Sequence, residues 1–556
     1  MKGKITLLTL LGLCSFSAMF ATQTIYVATT ANGGSDENTG SVSSPFATIS
    51  KAASMVSEDG AEIYVGAGTY VFGSTVVLNA YTHKFIGADA ATTIFDGNSS
   101  VSLIDGVTSL QNTDKTVSFE KLAFKNARMA VVAGTLNGGA AIWMGFKTNL
   151  VLNQCYFANN ISTAATGENW GGAVYFTGTT VTVDGCFFEK NESNSGGTQG
   201  YGGAITIRHL FNIDGSTTHL PSGATYAVVK NSTFYQNYAF SKGGAVYFNK
   251  QLDTKVDAED ATFVVQNCTF LENKSAGGTA NANTAQLGAG VALSSGSNST
   301  NNKAQTIILT NNTFINNYMV SAGTNYGKNS VLLEGFRYTS YMANNILISD
   351  MTNGECLFAN QPAPIEYGSN NTIDKIAANI NGADFVADAA TKNNLVAPTT
   401  AAAVGINTTL SNYPLSATFA LPYIALQLGS AAINAGINSY LVNTIANPSP
   451  ATPVEYVLTT DSRGQSLEST HDLGAAEFIS TTTALIEGVK NELKVLAVAE
   501  GFQLKGLNGT EEIRVFNLTG KMICKVQATA EEVLIPVTNH GVYLISTDNS
   551  KIKCVR

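Results

Sequence analysis

A short motif of alternating apolar and polar residues recurs along the middle of the chain, and each copy ends on a large apolar anchor. VTVDGCFF, FVVQNCTF and IILTNNTF are three of the copies. The seven anchors are Phe124, Phe157, Phe188, Phe234, Phe270, Phe314 and Ile348. Successive anchors lie 31 to 46 residues apart, which indicates one repeat whose length differences fall in loops.

The positions before each anchor alternate with a period of two. Val181 and Val183 stand seven and five residues before Phe188, and both columns are apolar in every copy. This period places both columns on the buried face of a strand. A polar break such as Asp184-Gly185 then turns the chain, and the column two residues before the anchor faces inward again. That column holds Leu122, Cys155, Cys186, Ser232, Cys268, Asn312 and Ile346.

An asparagine and a glycine pair follow most anchors. The asparagine comes three residues later, at Asn160, Asn191, Asn237, Asn273 and Asn317. A third strand of the GGAVYF type then begins at Gly138, Gly171, Gly202, Gly243 and, in a looser form, Gly288. We interpret the asparagines as amides stacked along the molecule, because asparagine tolerates the left-handed backbone of tight bends. The glycines indicate tight corners rather than a phosphate cradle, since no strand-GxGxxG-helix context surrounds them.

Three short strands per repeat cannot close a core alone, but repeats stacked in parallel bury a continuous interior. The sequence therefore predicts an all-β, right-handed parallel β-helix with three short strands per rung over residues 22–395. Cys155 and Cys186 share an inward column in consecutive rungs, at about the 4.8 Å strand spacing that a disulfide accepts. The alternative is a pair of buried thiols packed as small hydrophobes.

Composition excludes several classes of function. The 556 residues carry a net charge of −9 without any Lys/Arg block, which argues against nucleic-acid binding. The seven cysteines form no CxxC pair and only five histidines are present, so we expect neither a metal site nor a cofactor. Residues 1–21 combine Lys2 and Lys4 with an apolar run and small residues, as in a secretory signal peptide. No other stretch is long and apolar enough for a transmembrane span.

The mature start resembles the opening of secreted pectate-lyase-like β-helix proteins. TIYVATTANGGSDENTG and AEIYVGAGTYVF carry this resemblance. Between them, Ser44 can cap a helix that has Pro45 in its first turn. Its apolar stripe would comprise Ile49, Ala52, Ala53 and Val56. We expect this helix to close the open end of the solenoid and to protect its first rung from pairing with other strands.

Two further resemblances concern the repeats and the region after them. FxxN followed by GGAI or GGAV, over residues 150–275, resembles the polymorphic outer-membrane protein repeat of bacterial surface adhesins. LGSAAINAGI and DSRGQSLESTHDLGAAEF, within residues 396–480, resemble the closing segment of surface β-helix proteins. This resemblance implies a cap on the last rung, with acids such as Asp461, Asp472 and Glu477 fixing turns.

The tail, residues 485–556, resembles the C-terminal sorting domain of the type IX secretion route of Bacteroidetes. RVFNLTGK, GVYLIS and the terminal KIKCVR carry the match. The resemblance implies a small C-terminal β-sandwich that the outer-membrane translocon recognises. It also implies a Gram-negative envelope, a periplasmic intermediate and a final location at the cell surface.

The candidate catalytic cluster consists of Arg208, His209 and Lys250. Arg208 and His209 follow one GGAI-type strand, and Lys250 follows the next. Polysaccharide lyases on β-helices use Arg or Lys as the base and stabilise the enolate with cations or Ca²⁺. No aligned column stacks two acids, so the sequence does not support a Ca²⁺ site, and Asp184 with Lys230 reads as a surface ion pair. Solvated loop charges are the alternative interpretation of the cluster.

We favour a non-catalytic class of function. An exported surface protein of the adhesin type would bind a polysaccharide or a cell-surface glycan along one flank of the solenoid. The aromatic residues near that flank are Trp143, Trp170, Tyr175, Phe176, Tyr247 and Phe248. Many of them must be core, because GGAVYF alternates and only one of its Tyr and Phe can point outward. A lyase acting on uronic-acid polymers by β-elimination is the alternative, and a purely structural spacer is a third possibility.

Overall fold

A computed structural model shows two compact units, one up to Glu477 and one from Phe478 onward. The structure describes residues 22–107, 113–131, 138–145, 147–165, 167–195, 199–209, 226–250, 261–276, 288–295, 305–321, 324–334, 338–351, 353–359, 365–369, 371–374, 394–396, 399–437, 439–442, 454–467, 471–478, 494–498, 501–505, 507, 512–517, 520–530, 532–537, 541–547 and 551–555. No helix among these residues is long and apolar enough to cross a membrane.

Two parallel sheets of eleven described strands each form adjacent walls of the first unit. Sheet 1 comprises Thr24–Val27, Ala61–Val65, His83–Gly87, Thr116–Glu120, Asn149–Asn153, Thr180–Asp184, Tyr226–Lys230, Ala261–Gln266, Gln305–Thr310, Tyr338–Ala343 and Ile365–Ser369. Sheet 2 comprises Gly68–Val71, Thr93–Asp96, Ala123–Lys125, Tyr156–Ala158, Phe187–Glu189, Thr233–Tyr235, Thr269–Leu271, Thr313–Ile315, Ile346–Ile348, Thr372–Ile373 and Leu395–Val396. Each coil therefore contributes one strand to each wall.

Two further sheets complete the coils. Sheet 3 comprises Arg128–Val131, Ile161–Ala164, Glu192–Ser195, Tyr238–Ala239, Lys274–Ser275, Tyr318–Ser321 and the antiparallel Thr324–Lys328. Sheet 4 comprises Val76–Val77, Ile104–Asp105, Ile142–Met144, Val174–Phe176, Ile205–His209, Val246–Lys250, Val291–Ser295, Val331–Glu334 and Leu357–Ala359. The predicted right-handed parallel β-helix is confirmed. Its three predicted strands per coil are joined by a fourth short strand, which forms sheet 3.

The inward columns have the predicted register. Val181 lies opposite Ala227 and Val183 opposite Val229, and all four side chains are buried. The phenylalanine anchors form a continuous stack in which neighbouring ring centroids are 4.5 to 4.9 Å apart. Cys155 and Cys186 are buried free thiols, with the Cys155 backbone N–H donating to Cys186 Sγ at 3.4 Å. The alternative of packed small hydrophobes therefore describes this pair.

The predicted anchor of the last repeat is wrong by one residue. Leu347, not Ile348, lies opposite Phe314, and Asn345 takes the inward column position assigned to Ile346. Apolar side chains could not decide this register, because Ile346, Leu347 and Ile348 are all buried. The amide decides it, since Asn345 Oδ1 accepts hydrogen bonds from the Asn312 backbone and side chain at 3.1 and 3.0 Å.

The asparagines after the anchors form the expected ladder inside the corner between sheets 2 and 3. Asn160, Asn191, Asn237, Asn273 and Asn317 are all fully buried. Each side-chain Nδ2 of the first four donates to the Oδ1 of the next, at 2.9 to 3.0 Å. The residue before each ladder position is left-handed, as at Lys190 and Gln236 with φ of 51° and 55°. The Gly-Gly corners are left-handed too, since Gly171 and Gly243 have φ of 66° and 68°.

The N-terminal helix is shorter than predicted. It spans Ile49–Ser54, and its cap is Thr48, whose side chain accepts from the Lys51 backbone N–H. Ser44 and Pro45 lie in the loop before it, where the Ser44 backbone N–H donates to Ser41. The predicted stripe is confirmed, because Ile49, Ala52, Ala53 and Val56 are all buried. A single 3₁₀ turn, Thr30–Asn32, precedes this region.

Residues 399–477, here called the flank segment, contact several coils of the solenoid. They comprise the helical turn Ala401–Val404 and the antiparallel pairs Ile406–Pro414 with Ala420–Leu426 and Ser439–Val442 with Val454–Val457. Ser416 hydrogen-bonds Asp89 near one end of the solenoid, and the Ala401 N–H donates to Asp350 near the other. The segment covers outward apolar residues of sheets 1 and 2 along several coils, and the cap on the last rung stays a prediction.

The acids of the flank segment fix turns, as expected. Asp461 accepts from the Arg463 and Gln465 backbone N–H groups at 2.8 and 2.9 Å and forms a buried ion pair with the Arg463 guanidinium. Asp472 accepts from the Asn434 backbone N–H at 2.7 Å, and Glu477 accepts from that of Asp472. These carboxylates are occupied by the chain itself.

The second unit is built from two antiparallel sheets around its own core. One sheet comprises Lys494–Val498, Gly501–Lys505 and Glu532–Pro536. The other comprises Met522–Gln527, Glu512–Asn517, Val542–Ser546 and Lys551–Val555. Phe502 and Tyr543 meet edge to face between the sheets at 5.6 Å. This is the small β-sandwich that the tail predicted.

Candidate functional site

Sheet 4 brings the backbones of the predicted catalytic residues together. Arg208 lies opposite Asn249, and His209 opposite Lys250, in neighbouring strands. Arg208 is only 8% exposed: its guanidinium lies over the Trp170 ring at 3.9 Å, and its Nε donates to Asn249 Oδ1 at 3.1 Å. The side chains of His209 and Lys250 lie outside the described residues. The catalytic role of the three residues stays a prediction, and Arg208 is packed within the wall.

Most of the aromatic residues near the predicted flank belong to the core, as the alternation of GGAVYF led us to expect, while Trp143 is half-buried. Two extra strands, Glu168–Trp170 and Gln199–Tyr201, pair with each other in parallel, and their rings pack against those of sheet 4. They stack Trp170 on Tyr201 at 4.5 Å, and Tyr201 stacks on Tyr247 at 4.7 Å. Trp170, Tyr175, Phe176, Tyr247 and Phe248 are all buried. These rings therefore serve as core, and burial raises the pKa of Tyr247.

Sheet 3 carries a different feature, an open groove of about 780 Å³. Its floor is one outward column in register, Arg128, Ile161, Glu192, Tyr238, Lys274 and Tyr318. Each step advances one coil, so six residues span about 24 Å at the usual strand spacing. The adjacent inward column contains Ser162, Ser193 and Ala239, which are buried. Alternation along each short strand therefore sends the floor residues outward.

The side of this sheet-3 groove is formed by the left-handed corner residues. Asn126, Asn159, Lys190 and Gln236 line it, with φ between 51° and 56°. Asparagine suits this conformation because its short polar side chain tolerates it. The corner that turns each coil therefore also supplies the groove with amide groups that can donate and accept hydrogen bonds.

Two cations of the groove have no acidic partner among the described residues. Arg128 is held by a hydrogen bond from Nη1 to the Asn159 carbonyl oxygen at 3.1 Å, and Lys274 lies over the Tyr318 ring at 5.4 Å. Lys190 differs, since its Nζ pairs with Glu189 at 3.0 Å. Arg128 and Lys274 therefore retain donors for an anionic or hydroxylated ligand.

Glu192 is the one carboxylate that lines the groove within the described part of the chain. It is half-buried, and no hydrogen bond or ion pair reaches its carboxylate from the described residues. Burial raises its pKa, against the opposing effect of Arg128 and Lys274. Among the described lining residues Glu192 is therefore a half-buried carboxylate between two cations, able to accept hydrogen bonds.

Sequence reasoning missed this groove, although its floor residues keep a fixed distance from the anchors. The floor residues stand four positions after the anchors Phe124, Phe157, Phe188, Phe234, Phe270 and Phe314. That column holds two cations, one aliphatic residue, one acid and two tyrosines, so residue type alone shows no pattern. It becomes a surface only once the fourth strand of each coil is known.

Comparison with known proteins adds little about function. No family profile matches the chain, and no curated protein matches it. Three solved chains match, among them one described as the complex structure of XylC with xylose. That chain is 11% identical, with a TM-score of 0.31, over 82% of this chain and 98% of its own length. A likeness at this score carries no argument about the ligand.

Proposed function

We propose that the chain is an exported cell-surface protein that binds a glycan in the sheet-3 groove without cleaving it. The observation that supports this is the floor column, which lines up cation, carboxylate and tyrosine side chains over six coils. A groove of this length fits an extended polymer. Its amide, hydroxyl and charged groups are those that hydrogen-bond sugar hydroxyls.

Binding is tested with the full mature chain on a glycan array, followed by calorimetry on the best ligand. We expect the double variant Arg128→Ala/Lys274→Ala to bind about tenfold more weakly, equal to about 1.4 kcal/mol. Lys84→Ala is the matched control, because Lys84 is a half-exposed cation on sheet 1 outside the groove. Absence of binding to every glycan, or equal loss in the control, would refute this function.

Export is part of the same proposal. Residues 1–21 would be removed as a signal peptide, and residues 485–556 would engage the type IX secretion translocon. In a type IX-competent host we expect the surface form to begin at Thr22, as read by mass spectrometry of its N-terminal peptide. Deleting residues 485–556 should leave the protein in the periplasm. Surface display of the truncated chain would contradict the assigned route.

Polysaccharide lysis is the second candidate function. The observation that favours it is the register that places His209 beside Lys250, next to Arg208. A β-elimination would be detected as ultraviolet absorbance of an unsaturated uronate, with polyuronates and glycosaminoglycans as substrates. Full activity in Arg208→Ala, or no product from any of these polymers, would remove this candidate.

A further inference from the structure

The floor of the sheet-3 groove alternates between charged and uncharged residues from coil to coil. Arg128, Glu192 and Lys274 occupy every second coil, and Ile161 and Tyr238 occupy the coils between them. Ile161 and Tyr238 are thus two coils apart, which is about 10 Å at the usual strand spacing. The groove therefore repeats along its length with a period of two coils.

The two coils of Ile161 and Tyr238 carry the same pair of groups. Asn159 stands two residues before Ile161 and Gln236 two residues before Tyr238, and both amides line the side of the groove. The Asn159 side chain is exposed and forms no hydrogen bond with the described residues. Gln236 donates from Nε2 to Glu272 at 2.8 Å, which leaves its Oε1 to accept. Each of these coils therefore offers an apolar side chain on the floor and an amide at the side.

An apolar floor with an amide at its side is suited to a sugar ring. The C–H groups of the sugar pack on an aliphatic side chain or an aromatic ring, while hydroxyl groups at its edge hydrogen-bond the amide. One sugar unit of an extended chain spans about 5 Å, close to the rise of one coil. Ile161 and Tyr238 would therefore bind two sugars that are separated by one further unit.

This inference rests on the proposed function and deepens it. We propose that the groove binds a neutral, extended β-1,4-linked glycan, with two equivalent subsites at Ile161 and Tyr238. In such a chain each sugar is turned over relative to the next, so every second sugar presents the same face and the same edge. Coiled α-1,4-linked chains and bent β-1,3-linked chains do not present equivalent sugars at this interval along a straight line.

The charges of the floor favour a neutral polymer. Arg128, Glu192 and Lys274 lie two coils apart, so they face sugars of the same kind. A polymer with an acid on each of these sugars would bring a carboxylate to Glu192, which is half-buried and accepts hydrogen bonds only. Hydroxyl groups both donate and accept, so neutral sugars suit all three side chains.

Tyr318 continues the uncharged series two coils beyond Tyr238. The Lys274 ammonium lies over the Tyr318 ring at 5.4 Å. We therefore assign sugar rings to Ile161 and Tyr238 and none to Tyr318.

The first experiment compares the binding of hexasaccharides to the full mature chain by calorimetry. The β-1,4 probes are cellohexaose, mannohexaose, xylohexaose and chitohexaose. The comparison probes are maltohexaose, laminarihexaose, hexagalacturonate and a hyaluronan hexasaccharide, which differ in linkage or in charge. We expect at least one β-1,4 probe to bind at least about tenfold more tightly than every comparison probe.

The second experiment tests the spacing with the disaccharide and the trisaccharide of the best β-1,4 probe. A trisaccharide is the shortest ligand that reaches both subsites, so it should bind about tenfold more tightly than the disaccharide. Tyr238→Ala should bring the two affinities within about threefold of each other, whereas Tyr238→Phe should keep the difference because it retains the ring. Tyr81→Ala is the matched control and should also keep it, since Tyr81 is 37% exposed and lies outside the groove.

The outcomes separate this inference from the proposed function. Equal binding of all the probes, a preference for a comparison probe, or binding of array glycans without any β-1,4 probe would overturn this inference and leave glycan binding standing. A trisaccharide advantage that Tyr238→Ala leaves intact would do the same. Absence of binding to every glycan would overturn both. Circular dichroism shows whether each variant retains the β-helix, and Ile161→Ala makes the same test at the other subsite if Tyr238→Ala does not fold.

Discussion

At the residue scale, Asn237 shows how a buried amide fixes the register of a solenoid. Its Nδ2 donates to the Phe188 carbonyl and to Asn273 Oδ1, both at 3.0 Å. Its Oδ1 accepts from the backbone N–H and the Nδ2 of Asn191, also at 3.0 Å. A shift of the strand register by one residue would break all four of these buried hydrogen bonds. A column of apolar side chains could shift by one residue without such a loss.

Replacing Asn237 with leucine should therefore lower the free energy of unfolding by about 3 kcal/mol or more, because several buried partners lose their hydrogen bonds. The measurement is the urea unfolding transition followed by circular dichroism. Asn194→Ala on the preceding coil is the control, since Asn194 is exposed and its loss should change stability by less than about 0.5 kcal/mol. Similar losses in the two variants would contradict the role of the ladder.

Glu192 gives the groove a pH dependence whose sign follows from its raised pKa. Protonation removes the one negative charge of the described lining, so an anion should bind more tightly as pH falls through that pKa, above the usual value of 4.5. Dextran sulfate is the probe, because its sulfates stay charged. Glu192→Gln should bind dextran sulfate with the same affinity above and below the pKa of Glu192. If this variant kept the pH dependence of the wild type, Glu192 would not be the titrating group.

At the scale of elements, the flank segment is joined to the solenoid partly through His471. Asn344 Nδ2 lies 2.6 Å from His471 Nε2 and 2.8 Å from the Ile437 carbonyl oxygen. The Gly474 N–H donates to the Asn344 carbonyl at 2.7 Å, and the Ala475 N–H donates to Thr313 Oγ1 at 2.9 Å. His471 is fully buried, and burial lowers its pKa from 6.5 to about 4.

This histidine should make docking of the flank segment sensitive to acid. Because the pKa is lowered in the folded state, the unfolded chain binds the proton more tightly. The contribution of His471 to the free energy of unfolding is therefore fully present above pH 6.5 and declines as pH falls toward 4. The full loss amounts to about 3 kcal/mol. We expect His471→Gln to reduce the pH dependence of the free energy of unfolding in urea between these pH values. A slope from buried His83 should remain, because burial lowers its pKa too. An unchanged slope would contradict this.

The elements differ in how far the sequence predicts them. Columns such as Val181 and Val183 alternate strictly, so the core strands follow from periodicity alone. The strands of sheet 3 are only two to five residues long, too short for any period, and the groove on them was missed. The contacts of the flank segment with Asp89 and Thr233 could not be predicted, because they join residues far apart in the chain.

At the scale of the whole first unit, the flank segment should make the coils unfold together. Leu421 is 1% exposed and packs in one cluster with Phe187 and Phe419, while Pro422 accepts a hydrogen bond from Thr233. Leu421→Ala should cost about 3 kcal/mol locally and speed amide hydrogen exchange in the coils of Phe187 and Thr233. Leu428→Ala, at a 72% exposed position, serves as control. Equal rates of amide hydrogen exchange in these coils for Leu421→Ala and Leu428→Ala would contradict this coupling.

The flank segment contacts the solenoid near both of its ends, so the number of coils between those contacts cannot change freely. Inserting or removing one coil would move Asp89 relative to Asn344 by about 4.8 Å, and Ser416 and His471 could no longer both reach their partners. A duplication in the repeat region would need a matching change hundreds of residues downstream. The flank segment thus fixes the number of coils. We expect homologous proteins to differ in the length of their loops rather than in the number of their coils.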